Sequence, residues 1–453
     1  MSTLVGEQES RAIEAEGEIR SYFSGFAKPR GKEQVGVECE FFGIERATGQ
    51  ALPYLGPSGI EAVLCRLASV FHYEPVLEEG HVIALRKGEK WITLEPGGQV
   101  ELSAPPVGSV FEVELQIQTF AEELREMKRY FPDITWLSVG FHPFSTLEEM
   151  PWVPKGRYEL LSRYLGSRGR EAYEMMKRTA TNQVCLDYSD EATAFAQFRT
   201  VFGLTSLVSA LFAHSPFSEG RPNGFLTRRL QAWNETDPER CGLLPSFTEE
   251  GRTFRDYAEY LLEMPMIFIY REGKWISMEG MSFRKFLREG KDRFHATWSD
   301  FELHLSTAFP EARFKQYLEI RGVDAQRLPL IPSVAAFWKG ILYDASAREK
   351  AWSLVSGLSR EERLNIHRAV PREGLKARVG KAQACEISGE LYRLSCEGLG
   401  RQTGPGERSE CVYLDRLHEE IIRPCRSPAE TLLEKWRGEF REDPQKLISY
   451  LEV

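Results

Sequence analysis

The stretch "WITLEPGGQVELSAPP" restricts this chain more than any other. Ile92 and Leu94, then Val100 and Leu102, alternate onto one face. Thr93 and Glu95, then Gln99 and Glu101, take the other, and Pro96-Gly97-Gly98 supplies the turn between the two runs. Such a hairpin packs on one side only and carries its carboxylates together on the open side.

Three further segments repeat the pattern. In "VGVECEFFGI", Glu38 and Glu40 are two apart and share a face. In "RTATNQVCLDYS", Thr179, Thr181, Gln183 and Asp187 lie opposite Ala180, Val184 and Leu186. In "YLEIRG", Glu319 and Arg321 lie opposite Leu318 and Ile320. A solvated strand face explains any one of these, but such a face normally mixes in lysine, and none is present here. Clustered carboxylates repel unless a cation neutralises them, and hard divalent cations prefer oxygen ligands. Glu38, Glu40, Glu95, Glu101 and Glu319, joined by arginines, therefore suit Mg²⁺ ions and a nucleotide. No glycine-rich phosphate loop is needed, and "GLKARVGKA" has the wrong spacing for one.

A second constellation is "FAHSPFSEGRPNGFLTRRLQAWNETDPERCG", rich in Gly, Pro, Asn and Asp, with Arg221, Arg228, Arg229, Arg240 and Trp233. Long irregular segments tend to be functional, and the arginine fork suits carboxylates and phosphates. His142 and His214 adjoin apolar residues and read as structural. Neither an HExxH motif nor a nucleophile elbow occurs, so hydrolysis is the weaker reading.

The bulk properties narrow the field. With 453 residues, 42% hydrophobic and 28% charged, the chain is ordinary globular material. A net charge of -9 argues against a nucleic-acid-coating role. No apolar run approaches the roughly 20 residues of a membrane span, and the N-terminal segment lacks an apolar signal region. The eight cysteines form no CxxC pair, which argues against structural zinc and fits reduced thiols in a cytoplasm.

Helices are expected over residues 8–27, Gly59–Phe71 and Phe111–Tyr130, and strands near Val82–Leu85, at "ITWLSVGFHPF" and in the segments above. "RFKQYLEIRGVD" reads as a helix end or turn feeding a strand. From about Ala345 the pattern is mostly helical, with a capping box of Ser427 and Glu430 opening "SPAETLLEKW". Strands and helices in irregular order indicate an α+β fold.

The motifs together resemble the glutamate–cysteine ligases of the plant and proteobacterial type. They run in order over roughly residues 35–345, from "VGVECEFFGI" and "LEPGGQVELSAPP" through "EEMPWVPKGRYELLSRYL", "MMKRTATNQVCLDYS" and "HSPFSEGRPNGFLTRRLQAWNETDPERCG" to "DFELHLSTAFPEARFKQYLEIRGVD" and "VAAFWKGILYD". The resemblance implies a fold of the glutamine synthetase/guanido kinase type, with a curved antiparallel sheet as the floor of the site. It implies a catalytic core over 1–345 and a mostly helical region over 346–453 packed on it. It also implies ATP and Mg²⁺, with glutamate and cysteine as substrates, and leaves room for a homodimer without nucleic-acid or membrane partners.

Carried over by position, Glu38, Glu40, Glu95, Glu101 and Glu319 are implied metal ligands and Arg321 and Arg229 catalytic contacts. Arg240 and Trp233 are implied in the nucleotide wall, and Thr181, Gln183, Cys185 and Arg229 in the substrate site. The chain departs from the pattern at Cys185 and His214, where the family carries asparagine. These departures bear on the acceptor, so a ligase joining glutamate to another amine stays open, as does a non-catalytic nucleotide- or amino-acid-binding relative.

Overall fold

Val35–Glu45 runs as one eleven-residue strand, β1, buried along all but its last residue. The computed structural model describes residues 11–453. β2 (Glu74–Glu78), β3 (His81–Lys87), β4 (Lys90–Leu94), β5 (Val100–Ser103), β6 (Ile134–Leu137), β7 (Asn182–Leu186), β8 (Ala312–Phe314) and β9 (Leu318–Ile320) join β1 in a nine-stranded sheet. The order is β8-β9-β7-β1-β5-β4-β3-β2, every pairing antiparallel. β1 is long enough to serve twice: its first half lies between β5 and β7, and Phe42–Glu45 pairs with β6.

Alternation then sorts the two faces. Val37, Cys39, Phe41, Ile92, Leu94, Val100, Leu102, Val184 and Leu186 are buried, and the helices Val110–Glu126 and Ile331–Leu342 pack on the central strands. Each such aliphatic or aromatic side chain contributes roughly 1.5–3 kcal/mol of burial. Apolar residues on one side of β1 fix which side Glu38 and Glu40 must face, because a slip of one residue would drive them into this core.

The expected helices are present as Glu16–Tyr22, Ile60–Phe71 and Val110–Glu126; residues 8–10 of the first expectation lie outside the described residues. "RFKQYLEIRGVD" departs from its reading as a helix end or turn. It is the tight β8–β9 hairpin, in which Arg313 pairs with Glu319. The helix Glu191–Leu211 is long and apolar enough by composition to cross a membrane, which a scan for unbroken apolar runs passes over. Of its most apolar window, 83% is buried inside the protein, as in a core helix.

The region after Ala345 is mostly helical and shares one hydrophobic core with the sheet. Ser427 caps Pro428–Arg437, its hydroxyl and backbone amide both bonded to Glu430. The helix Ala384–Gln402 packs so closely on Ile331–Leu342 that a Cβ on Gly398 would overlap the Gly340 carbonyl. Cys385 and Cys425 form a disulfide, which corrects the expectation that all eight cysteines are reduced.

Candidate active site

The open face of the sheet floors a cleft. Its lining is highly charged: Glu38, Glu40, Glu95 and Glu101 on the acidic side of the balance, and Arg157, Arg229, Arg313, Lys315 and Arg321 on the basic side. Gln99, Thr179, Thr181, Gln183, Tyr158, Met175, Met176, Trp233, Phe268 and Phe309 line it as well.

Strand register assembles the acidic part. Glu40 of β1 pairs with Glu101 of β5, and Glu101 in turn with Thr93 of β4. Glu38 pairs with Ser103 on one side and Gln183 on the other. Glu101 Oε1 accepts from Thr93 Oγ1 at 2.6 Å and Ser103 Oγ at 2.9 Å. Glu40 accepts from the Thr181 amide at 3.0 Å. These donors do not offset the cost of burying charge. Burial, then Glu38 and Glu95, push Glu101 up to about 7, and burial, then Glu95 and Glu101, hold Glu40 well above the ordinary carboxylate range.

Glu95 sits on the Pro-Gly-Gly turn, which is clamped from outside the hairpin. Lys155 Nζ and Tyr158 Oη donate to the Leu94 carbonyl at 2.7 and 2.6 Å, and the Val153 amide donates to Pro96 at 3.0 Å. Gln99 Nε2 donates to the Thr179 carbonyl at 2.8 Å. Gly97 permits the close approach: a Cβ there would overlap the Lys177 carbonyl oxygen.

The basic part is organised by Glu319. Its carboxylate is paired with Arg313, with Lys315 at 2.6 Å and with Arg321 at 3.0 Å. Burial alone would raise Glu319, but Arg313, Lys315 and Arg321 carry it well below the usual range. Arg321 Nη1 also donates to Gln183 Oε1 at 2.8 Å, and Arg229 Nη2 donates to the Arg321 carbonyl at 2.9 Å. The Trp233 ring lies 5.7 Å from the Arg229 guanidinium and 5.5 Å from that of Arg321. Arg229 Nε and Trp233 Nε1 are buried without a hydrogen-bond partner among the described residues.

Glu38, Glu40, Glu95, Glu101, Thr181, Gln183, Arg229, Trp233 and Arg321 therefore line one cleft. Three residues stand differently from their expected places. Arg240 is fully buried behind the cleft wall and does not line the cleft; its guanidinium is spent on Asp237 at 2.8 Å, the carbonyl of the cleft-lining Thr307 at 3.0 Å and the Pro265 carbonyl at 2.8 Å. Cys185 is one row further along β7, level with Gly36, and faces a smaller hollow that shares Glu38 with the cleft. Glu319 has a ligand atom within 4.8 Å of those of Glu38 and Cys185, yet it is already neutralised by three cations. His142 and His214 are both fully buried.

Sequence reasoning missed Arg313, Lys315, Arg157 and Tyr158. The first two are spaced two apart, the strand signal that went unread in "RFKQYLEIRGVD". An all-oxygen acidic group whose members repel one another has the chemistry to bind hard divalent cations, and the adjoining arginines and lysine have the chemistry to bind phosphates.

The model of the glutamate-cysteine ligase family 2 (GCS2) matches residues 34–446. A chloroplastic glutamate–cysteine ligase of Nicotiana tabacum is 35% identical over 426 residues, covering 93% of this chain and 80% of the relative. Its Arabidopsis thaliana counterpart is 34% identical over 437 residues, covering 96% and 82%. Among solved structures, a glutamate–cysteine ligase of Francisella tularensis in complex with AMP superposes with a TM-score of 0.55 at 12% identity, covering 94% of this chain and 89% of that one. A bifunctional glutathione synthetase of Pasteurella multocida gives 0.52 at 11% identity, covering 95% and 53%. These two likenesses bear on the fold alone. The cytoplasmic placement inferred from the cysteines is overturned: the plant relatives are named as chloroplastic enzymes. With its family model matched over nearly the whole length and relatives above 30% identity, the chain belongs to the glutamate-cysteine ligase family 2.

Proposed function

We propose that this cleft joins the γ-carboxylate of glutamate to the amine of cysteine at the expense of ATP, giving γ-glutamylcysteine. The observation that carries the reading is the lining of the cleft: mutually repelling carboxylates on the sheet together with arginines and a lysine, in a chain of this family. Glu38, Glu40, Glu95 and Glu101 would hold Mg²⁺, which when bound lowers the repulsion between the ATP phosphates and the attacking carboxylate.

The chain's own residues do the rest. Arg321 and Arg229, with Arg313 and Lys315, meet the transferring phosphoryl group and disperse its charge. Gln183, held by Arg321, and Thr181 orient the glutamate so that its γ-carboxylate attacks in line. The acyl phosphate that results is opened by the cysteine amine, and phosphate leaves. Glu319 belongs to this second group as the anion that aligns its three cations. Trp233 lies against the faces of Arg229 and Arg321 and walls the cleft. Cys185 and His214 lie outside the main cleft, so the acceptor is set by other residues.

The sheet architecture supports a fold of the glutamine synthetase/guanido kinase type. Residues 1–345 serve as the catalytic core and 346–453 as a helical buttress, since each cleft-lining residue lies in the first segment. The test is an ATP-dependent assay with glutamate and a panel of amines, read by mass for product and linkage. A γ-linked dipeptide formed fastest with cysteine supports the reading; another amine preferred over cysteine, or no ADP with any amine, contradicts it.

A further inference from the structure

We infer that Asp324 is a positioning residue for the ligation: it holds the helix Arg228–Asn234 so that Arg229 meets the cleft beside Arg321. The inference rests on the ligase reading of the cleft.

Asp324 lies just past β9, is buried, and does not line the cleft. Its carboxylate accepts three hydrogen bonds, all from the loop that leads into that helix. Oδ2 accepts from the His214 amide at 2.7 Å and the Ser215 hydroxyl at 2.6 Å, and Oδ1 accepts from the Thr227 hydroxyl at 2.8 Å. Gly140 backs the group so closely that a Cβ there would come within 2.5 Å of the carboxyl carbon, which leaves the carboxylate little room to turn.

A hydroxyl has one proton to give. Ser215 and Thr227 each give theirs to Asp324, and their oxygens are thereby left to accept. Ser215 Oγ accepts from the Arg229 amide at 3.2 Å, and Thr227 Oγ1 caps the helix by accepting from the Leu230 amide at 3.2 Å. These first-turn amides have no partner inside the helix. The carboxylate thus sets the direction of two bonds that it does not itself make.

Arg229 is in this way held at both ends by one segment. Its main chain is tied through Ser215 to Asp324, and its Nη2 donates to the Arg321 carbonyl at 2.9 Å. The segment is itself fixed. Thr181 Oγ1 donates to the Val323 carbonyl at 2.6 Å, Ser209 Oγ to the Gly322 carbonyl at 2.6 Å, and the Ala325 amide to the Ala180 carbonyl at 3.0 Å. Asp324 therefore sets where Arg229 stands relative to Arg321. For two guanidiniums that meet one phosphoryl group, a misplacement of about 1 Å costs on the order of 100-fold in rate.

The experiment compares the parent with Asp324→Asn and Ser215→Ala in the full chain. Whichever way the new amide of the first variant sits, at least one of the three donors faces N–H instead of oxygen. The second variant cuts the link to the Arg229 amide and leaves the other two bonds of the carboxylate in place. Hydrogen exchange mapped by mass should be faster in the peptide covering 227–234 in both variants and unchanged in β1. With the folded fraction taken from circular dichroism, kcat per folded molecule should fall on the order of 10–100-fold in Asp324→Asn, at unchanged KM for ATP. In an Arg229→Gln background, Asp324→Asn should cost little more, because the two residues act as a unit. Unaltered exchange over 227–234, a kcat that follows the folded fraction alone, or equal losses in both backgrounds overturns the assignment. If Asp324→Asn does not fold, Ser215→Ala carries the same three readouts. A parent that joins no amine to glutamate refutes the ligase reading instead, and the exchange data still decide whether Asp324 holds the helix.

Discussion

Glu40 of β1 and Glu101 of β5 are register partners, so two buried carboxylates stand side by side on one row of the sheet. Like charges in that position destabilise a sheet, and the fold carries the cost where its cleft opens.

Glu101→Gln removes one member of this pair without changing its shape. The metal-free protein should be as stable as the parent or up to about 1 kcal/mol more stable. Mn²⁺ affinity should fall at least about tenfold, through loss of one charged ligand. Urea unfolding in EDTA and calorimetric Mn²⁺ titration check both; a less stable variant with unchanged affinity would contradict the account.

Lys155 gives a pH prediction. Burial, then Arg157, lower its ammonium from 10.5 to about 7. Below about pH 7 the folded chain holds a buried charge, and the cost is fully present. Between 7 and 10.5 the unfolded chain keeps a proton that the folded chain has lost, so stability rises with pH across that window. The full span is worth on the order of 5 kcal/mol. Lys155→Met should therefore flatten the pH dependence of unfolding between 7 and 10, relative to the parent.

Arg240→Met probes a strut behind the cleft wall. It leaves Asp237, itself fully buried, without its partner, at a cost of about 3–5 kcal/mol. The folded fraction should retain its KM for ATP, and activity should fall in proportion to that fraction. A changed KM with unchanged stability would return Arg240 to the nucleotide wall.

Arg321→Gln acts inside the cleft. Glu319 keeps Arg313 and Lys315, so the fold should survive, while kcat drops by about 10²–10³ through lost charge stabilisation. Steady-state kinetics beside circular dichroism separate the two effects.

Much of this was legible in the sequence because a strand has a period of two. Alternation alone put Glu38 with Glu40 and Glu95 with Glu101 on shared faces, whatever the sheet order. It could not show that Glu40 meets Glu101, since register between distant strands is set by pairing and packing. It also overreached by one step on β7, where Cys185 shares the face of Gln183 but stands on the row of Gly36 and Glu319.

Short elements were read least well. β8 and β9 have three residues each, too few alternations to distinguish from a turn, and Arg313 and Lys315 were hidden with them. Arg240 came from a loop rich in arginine, and composition does not distinguish an arginine aimed at a ligand from one satisfied by Asp237 and two carbonyls. The Cys385–Cys425 pairing was beyond reach for a similar reason, because cysteine spacing does not fix connectivity.

The central claim is that the acidic part of the cleft binds divalent cations that its glutamates share. Its most direct test is the stoichiometry of Mn²⁺ binding to the full chain with a non-hydrolysable ATP analogue, by electron paramagnetic resonance. The account predicts more than one bound Mn²⁺ per chain for the parent, and loss of protein-bound Mn²⁺ in a folded Glu40→Gln/Glu101→Gln variant. Equal Mn²⁺ binding by parent and variant would contradict it.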